Sequence, residues 1–202
     1  RLAAGLQLAN CVQGVHSCGF AVGDLSSSNV LVRREKPGQV GLSVIDCDSF
    51  DLPGFPCAYA TDRYLLPEVH RKNVPYEAGK KADNHALSFL LFELLLGGMS
   101  PFAHKGGGSP EENAAKQFFA LAEDPRRVPV GPLASRWNAL PKPMQGMFMR
   151  AFMQGKPKPD AREWTSLLAS ISVPEVWPDL QPAAVVAATA ATSVASVIGR
   201  LT

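Results

Sequence analysis

The sequence predicts an α+β fold that is predominantly helical, with a small β-hairpin region. Two observations predict it. Apolar residues recur at helical spacing through most of the 202 residues, while short strand-like runs are confined to the stretch before Asp46. Hydrophobic residues make up 46% of the chain, enough for one domain to bury a real core.

Each element has its own warrant. Leu2, Leu6, Leu8, Ala9, Val12 and Val15 follow mostly helical spacing, so residues 1–18 read as an amphipathic helix closed near Gly19. Ala21–Val22 and Val30–Val32 read as short strands around a polar loop. Lys36-Pro37-Gly38 is a turn, and Gly41–Ile45 is the returning strand. Residues 46–68 hold Pro53, Pro56 and Pro67 and show no helical period, which predicts a long ordered loop of the kind that carries function. Asp83–Leu96 is the most apolar segment and predicts a buried helix ended by Gly97-Gly98. Lys105–Pro110 is a flexible loop, and Glu111–Ala122 a helix with Ser109 as N-cap and Pro110 at its first position. Residues 142–154 and 160–171 are two further helices.

These elements assign residues 1–171 to one domain and residues 172–202 to a Pro/Ala-rich linker or disordered tail. The Ala/Val/Thr/Ser tract at 183–198 is shorter than the roughly 20 apolar residues a spanning helix needs, so a membrane anchor is not expected. A net charge of +2 gives no reason to expect nucleic acid as a partner. Cys11, Cys18, Cys47 and Cys57 form no C-x-x-C pair, which argues against zinc and for reduced thiols in a cytoplasmic setting. The chain opens at Arg1 inside a helical pattern, with no initiator Met or leader, and so reads as a fragment.

The chemistry lies in four short motifs. Gly23-Asp24-Leu25-Ser26-Ser27-Ser28-Asn29 precedes a V-L-V strand, and Val44-Ile45-Asp46-Cys47-Asp48-Ser49-Phe50 ends the returning strand. Thr61-x-x-Tyr64-x-x-Pro67-Glu68 and Lys81-Ala82-Asp83-Asn84-His85-Ala86-Leu87-Ser88 follow. By itself the Asp24/Asn29 spacing also describes an Asx turn with a solvated carboxylate. Asp46 and Asn29 offer oxygen ligands, which suit a hard divalent cation. Asp48 reads either as a third ligand or as a turn carboxylate. A carboxylate within a buried helix, as at Asp83, needs hydrogen-bond donors to offset its desolvation.

In order and spacing these motifs resemble the C-terminal lobe of eukaryotic-like protein kinases, in particular the atypical bacterial Hanks-type members. The resemblance covers about residues 1–171. It implies ATP and Mg2+ as cofactors and transfer of a phosphoryl group to Ser or Thr of a protein substrate. Within it, residues 22–32 are the catalytic loop, 46–68 the activation segment and 83–96 the core helix. Asp24 is the catalytic base, and Thr61 hydrogen-bonds it on the substrate side. Asn29 and Asp46 bind the metal and, through it, the nucleotide. Asp83 receives backbone N–H groups of the catalytic loop. Glu68 closes the activation segment in an ion pair with a late basic residue, for which Lys158 in Gly155-Lys156-Pro157-Lys158-Pro159-Asp160-Ala161 takes the Arg position. The glycine-rich loop and nucleotide-anchoring Lys belong to an N-terminal lobe, expected in cis ahead of Arg1.

The sequence also departs from the family. H-R-D is Val22-Gly23-Asp24, so no Arg waits for a phosphorylated activation loop. The Lys two residues after the catalytic Asp is Ser26, and the Phe and Gly of D-F-G are Cys47 and Asp48. These losses keep a pseudokinase, a binding scaffold without turnover, as the alternative. Aminoglycoside-type small-molecule phosphotransferases share G-D-x-x-x-x-N and a later I-D, but lack the T-x-x-Y-x-x-P-E segment and the D-x-W-S-x-G helix that have counterparts here. The remaining features read as structural: His85 as a core residue, Cys47 as a small buried hydrophobe, and Gly106-Gly107-Gly108 as a linker without the G-K-[ST] of a phosphate loop. His16, His70 and His104 have no partner at ligand spacing.

Overall fold

The computed structural model describes residues 1–36, 39–72 and 75–171. Pro37 and Gly38 of the expected turn, and the expected tail at 172–202, lie outside the described residues. The order is α1 (Leu2–Ser17), β1 (Val30–Lys36), β2 (Gln39–Val44), α2 (Pro67–Lys72), α3 (Lys80–Leu96), α4 (Pro110–Lys116), α5 (Ala120–Glu123), α6 (Leu133–Ala139), α7 (Lys142–Phe152) and α8 (Ala161–Ser170). Among the described residues the architecture is thus mostly helical with one two-stranded antiparallel sheet.

Helix α3 is the axis of the core. Leu87, Leu91, Phe92, Leu95 and Leu96 are fully buried, because α1, α6, α7 and α8 cover it on several sides. A helix that is apolar nearly all round must be enclosed in this way. It starts at Lys80, a turn earlier than its apolar residues suggest, and ends where Gly97 turns left-handed at φ +81°. Gly5 of α1 faces it so closely that a Cβ there would lie 3.0 Å from a methyl of Leu91. Helix α8 is tied to α3 by polar contacts. Asn84 Oδ1 accepts from Ala161 N–H at 3.0 Å, and Trp164 Nε1 donates to Ser88 Oγ at 2.9 Å.

Two expectations are corrected. The helix expected over 111–122 is broken, because Gln117 adopts a left-handed conformation (φ +51°) that ends α4. The break turns Phe119 inward against Phe92 and Trp137, and Glu123 caps the new start by accepting from Phe119 N–H at 2.7 Å. Helix α6 was not expected at all. Only Leu133 and Trp137 of it are buried, too sparse a pattern to register as a period. The Ser109 cap of α4 forms a full capping box with Glu112.

His85 sits within an aromatic cluster, near parallel to Phe102 and edge-on to Phe89 and Phe152. Burial pushes its pKa down to about 4. The unfolded imidazole takes a proton as pH drops below about 6.5, while the folded ring stays neutral until about 4. The native state therefore keeps this contribution above pH 6.5 and loses it progressively between 6.5 and 4. Replacing His85 with Phe is expected to remove up to about 3 kcal/mol of the acid-induced loss over that window, read by urea unfolding at several pH values. An unchanged pH slope would contradict it.

Candidate active site

The site is assembled from the core outward. Asp83, in the first turn of α3, is completely buried. Its Oδ2 accepts from Val22 N–H at 2.7 Å and its Oδ1 from Gly23 N–H at 3.1 Å. His16, near the end of α1, places Nε2 2.9 Å from Oδ2 as a third donor. These bonds fix the main chain immediately before Asp24. His16 was passed over in the sequence because its partner lies 67 residues away. No local spacing signals such a pair.

Gly23 has φ +81°, and a Cβ on it would meet the Ser49 carbonyl oxygen at 1.9 Å and Cys57 at 3.1 Å. Segment 46–57 thus occupies the volume into which a side chain at position 23 would project. Three further contacts hold this junction. Ala21 and Asp51 exchange backbone hydrogen bonds of 3.2 and 2.9 Å, where the sequence predicts a short strand. Ser49 Oγ, itself buried, lies within hydrogen-bonding distance of both the Val22 and Asp46 carbonyls. Tyr76 donates its hydroxyl to Gly23 O at 2.7 Å. Burial, followed by the fields of Asp83, Cys57, Asp24 and Asp51, raises the Tyr76 pKa well above its usual value, so it acts as a neutral donor. Tyr76 is a further residue that spacing alone did not reveal.

Asp24 then presents its carboxylate to two partners. Oδ1 accepts from Thr61 N–H at 2.7 Å, and Oδ2 accepts from Asn29 Nδ2 at 3.2 Å. Asn29 Nδ2 also donates to Asp24 O at 3.0 Å. The Thr61 contact is made by its main-chain N–H. Two acceptors around Nδ2 set the amide orientation. The hairpin brings Asp46 to the same end: Val30 pairs with Val44, and Ile45 N–H donates to Asn29 O at 2.9 Å. Asp46 is solvent-exposed and left-handed at φ +62°, a conformation that Asp tolerates better than most residues. Cys47 and Asp48 are exposed in the following 3₁₀ turn, which corrects the expectation of a buried Cys47. The turn leaves position 47 on the outside because Ser49 takes the inward place.

Segment 61–68 is anchored on α3 by Tyr64, whose hydroxyl donates to Glu93 Oε2 at 2.9 Å, and by Arg63, which donates to Glu93 Oε1. Glu68 makes its ion pair with Lys81 at 2.5 Å, in place of the expected Lys158. Lys81 on the first turn of α3 faces α2 directly, whereas the Lys158 ammonium is held by Met153 O at 2.7 Å. Burial opposes ionisation of Glu68, but the Lys81 hydrogen bond and charge bring its pKa below the usual value. Among the described residues, no three His, Cys, Asp or Glu side chains gather in a metal-binding cluster. No helix of the described residues is long and apolar enough to cross a membrane.

Two substitutions test this construction. Asp83→Ala leaves the Val22 and Gly23 N–H groups buried without an acceptor, at about 1–3 kcal/mol each. Urea unfolding should therefore show a loss of several kcal/mol, and a loss below about 1 kcal/mol would contradict the arrangement. Gly23→Ala is expected to cost at least about 1–2 kcal/mol from its left-handed backbone. The clash with Ser49 O should also raise amide exchange across 46–57, and unaltered exchange there would rule out the proposed close approach.

No family model matches the chain. It is 26% identical over 180 residues to a protein kinase named YegI from Escherichia coli K12, covering 81% of this chain and 27% of that protein. A second protein of that name, from Escherichia coli O157:H7, is 26% identical over 177 residues, covering 80% of this chain and 27% of the relative. The chain spans about a quarter of the length of these curated relatives, and its similarity to them is a distant, kinase-like relationship.

Proposed function

We propose that this chain is the catalytic-loop portion of an ATP- and Mg2+-dependent protein kinase that phosphorylates Ser or Thr of a protein substrate. One observation carries the reading. Both oxygens of Asp24 are held by hydrogen bonds, to Asn29 and to the activation segment at Thr61, while the hairpin delivers Asp46 beside Asn29. A positioned carboxylate, an amide and a second carboxylate are the kinds of side chain that phosphoryl transfer uses.

Asp24 is the group that orients the acceptor hydroxyl and takes its proton, because its carboxylate cannot swing away from the Asn29 and Thr61 donors. Asn29 Oδ1 and the exposed Asp46 carboxylate would hold the cation, and this all-oxygen pair fits Mg2+, which takes its other ligands from water and phosphate. Bound Mg2+ neutralises charge on the transferring phosphoryl group. Asp83 acts one layer back by fixing the loop that carries Asp24. The nucleotide-anchoring groups would come from an N-terminal lobe of the same protein, as the family resemblance implies. The free thiols support a cytoplasmic setting.

A pseudokinase scaffold is the second reading, and one observation favours it. Ser26, where the family places a Lys, is completely buried and hydrogen-bonded to Ser28, so position 26 offers no cation to the reacting groups. Phosphate transfer from labelled ATP, measured on a protein containing this chain with its N-terminal lobe, separates the two. The kinase reading expects Mg2+-dependent transfer that falls at least about 100-fold in Asp46→Ala with an unchanged melting temperature. Full activity in that variant would sink the metal assignment. Nucleotide binding without transfer by the unaltered protein would establish the scaffold.

A further inference from the structure

A cavity of about 280 Å³ lies between α2, α3 and the loop after α7, away from Asp24 and its partners. Leu66, Glu68, Arg71, Lys81, His85 and Lys158 contribute to its lining. Three cations from three separate elements thus face one carboxylate, leaving two net positive charges. Only Lys81 is neutralised, by Glu68. Arg71 and Lys158 make no ion pair among the described residues. Arg71 is instead held by main-chain and amide oxygens: Nε donates to Ala115 O at 3.2 Å and Nη2 to Gln117 Oε1 at 3.4 Å. These contacts leave the Nη1 donors for another acceptor. Lys158 uses one of its three N–H donors on Met153 O at 2.7 Å.

We propose that this cavity is a binding site for a phosphate group, held by Arg71 and Lys158 and closed by Lys81. Two uncompensated cations call for a dianion, and a single carboxylate would leave one positive charge unmatched. The remaining Nη1 donors of Arg71 and the free N–H donors of Lys158, both lining the cavity, suit the several oxygens of one phosphate. Lys158 is exposed at the cavity mouth, and partial desolvation, opposed by the charge of Glu68, lowers its pKa. His85 forms a neutral wall and adds no charge. The same chemistry is offered by free phosphate and by a phosphorylated side chain of a protein.

Calorimetric titration of the 202-residue chain with inorganic phosphate, at ionic strength held constant with chloride, tests the site directly. The expected result is saturable binding of one phosphate per chain, weakened at least ten-fold in Lys158→Gln and in Arg71→Gln and retained in Lys158→Arg. Melting without phosphate checks that each variant is folded. No saturable heat above the chloride control, or equal affinity in the two Gln variants and the parent chain, would overturn the proposal. Competition with a short phosphoserine peptide identifies the source: tighter binding of the peptide assigns a protein-borne phosphate, and weaker binding assigns the free ion. The measurement uses no ATP, so its failure leaves the reading of Asp24 intact. Asp46→Ala, which disables transfer in that reading, is expected to bind phosphate normally.

Discussion

A carboxylate sealed inside a helical core is costly unless its oxygens are matched by donors, and Asp83 is matched from two directions. Val22 and Gly23 supply main-chain N–H groups, and His16 supplies a ring nitrogen from the end of α1. The same residue therefore joins the central helix, the first helix and the loop that bears Asp24. Lys80 adds to the junction by donating to His16 O at 2.7 Å. Because buried backbone donors are expensive to leave unpaired, the loop has no cheap alternative position. The direction of Asp24 follows from the solvation of Asp83.

From that anchor the rest of the candidate site is built largely from main-chain bonds. Ala21 pairs with Asp51, Ile45 bonds Asn29, and Thr61 N–H reaches Asp24. Gly23 allows segment 46–57 to approach within a distance that no side chain would permit. The space beside Gly23 is filled by Ser49 and Cys57, so the packing leaves no room for a side chain at position 23. Segment 61–68 is then fixed at Tyr64 and Arg63 on Glu93, and at Glu68 on Lys81.

Much of the fold was legible because its strongest signals are local. The run from Asp83 to Leu96 reads as a buried helix, and Ser109-Pro110 marks a helix start by itself. The strands at Val30 and Gly41 were legible for the same reason. What the sequence hid is tertiary. Gln117 breaks a helix so that Phe119 can reach Phe92, a demand made by the core and not by propensity. His16 and Tyr76 matter through partners 67 and 53 residues away. The donor to Glu68 was hidden because the motif points to Lys158, whereas the folded chain brings Lys81 to that carboxylate. The grouping of Asp24 with Asn29 was visible in their spacing, whereas the role of the Thr61 main chain required the folded chain.

The proposed phosphoryl transfer requires Asn29 and Asp46 to share one cation beside Asp24. Amide resonances of the isotopically labelled chain, followed as Mn2+ and ATP are added at substoichiometric levels, report this directly. Paramagnetic broadening falls steeply with distance, so the account predicts that Asp24, Asn29, Asp46 and Cys47 broaden first and that Asp46→Ala weakens the effect. Broadening centred on another part of the surface, or spread evenly over exposed carboxylates, would contradict it.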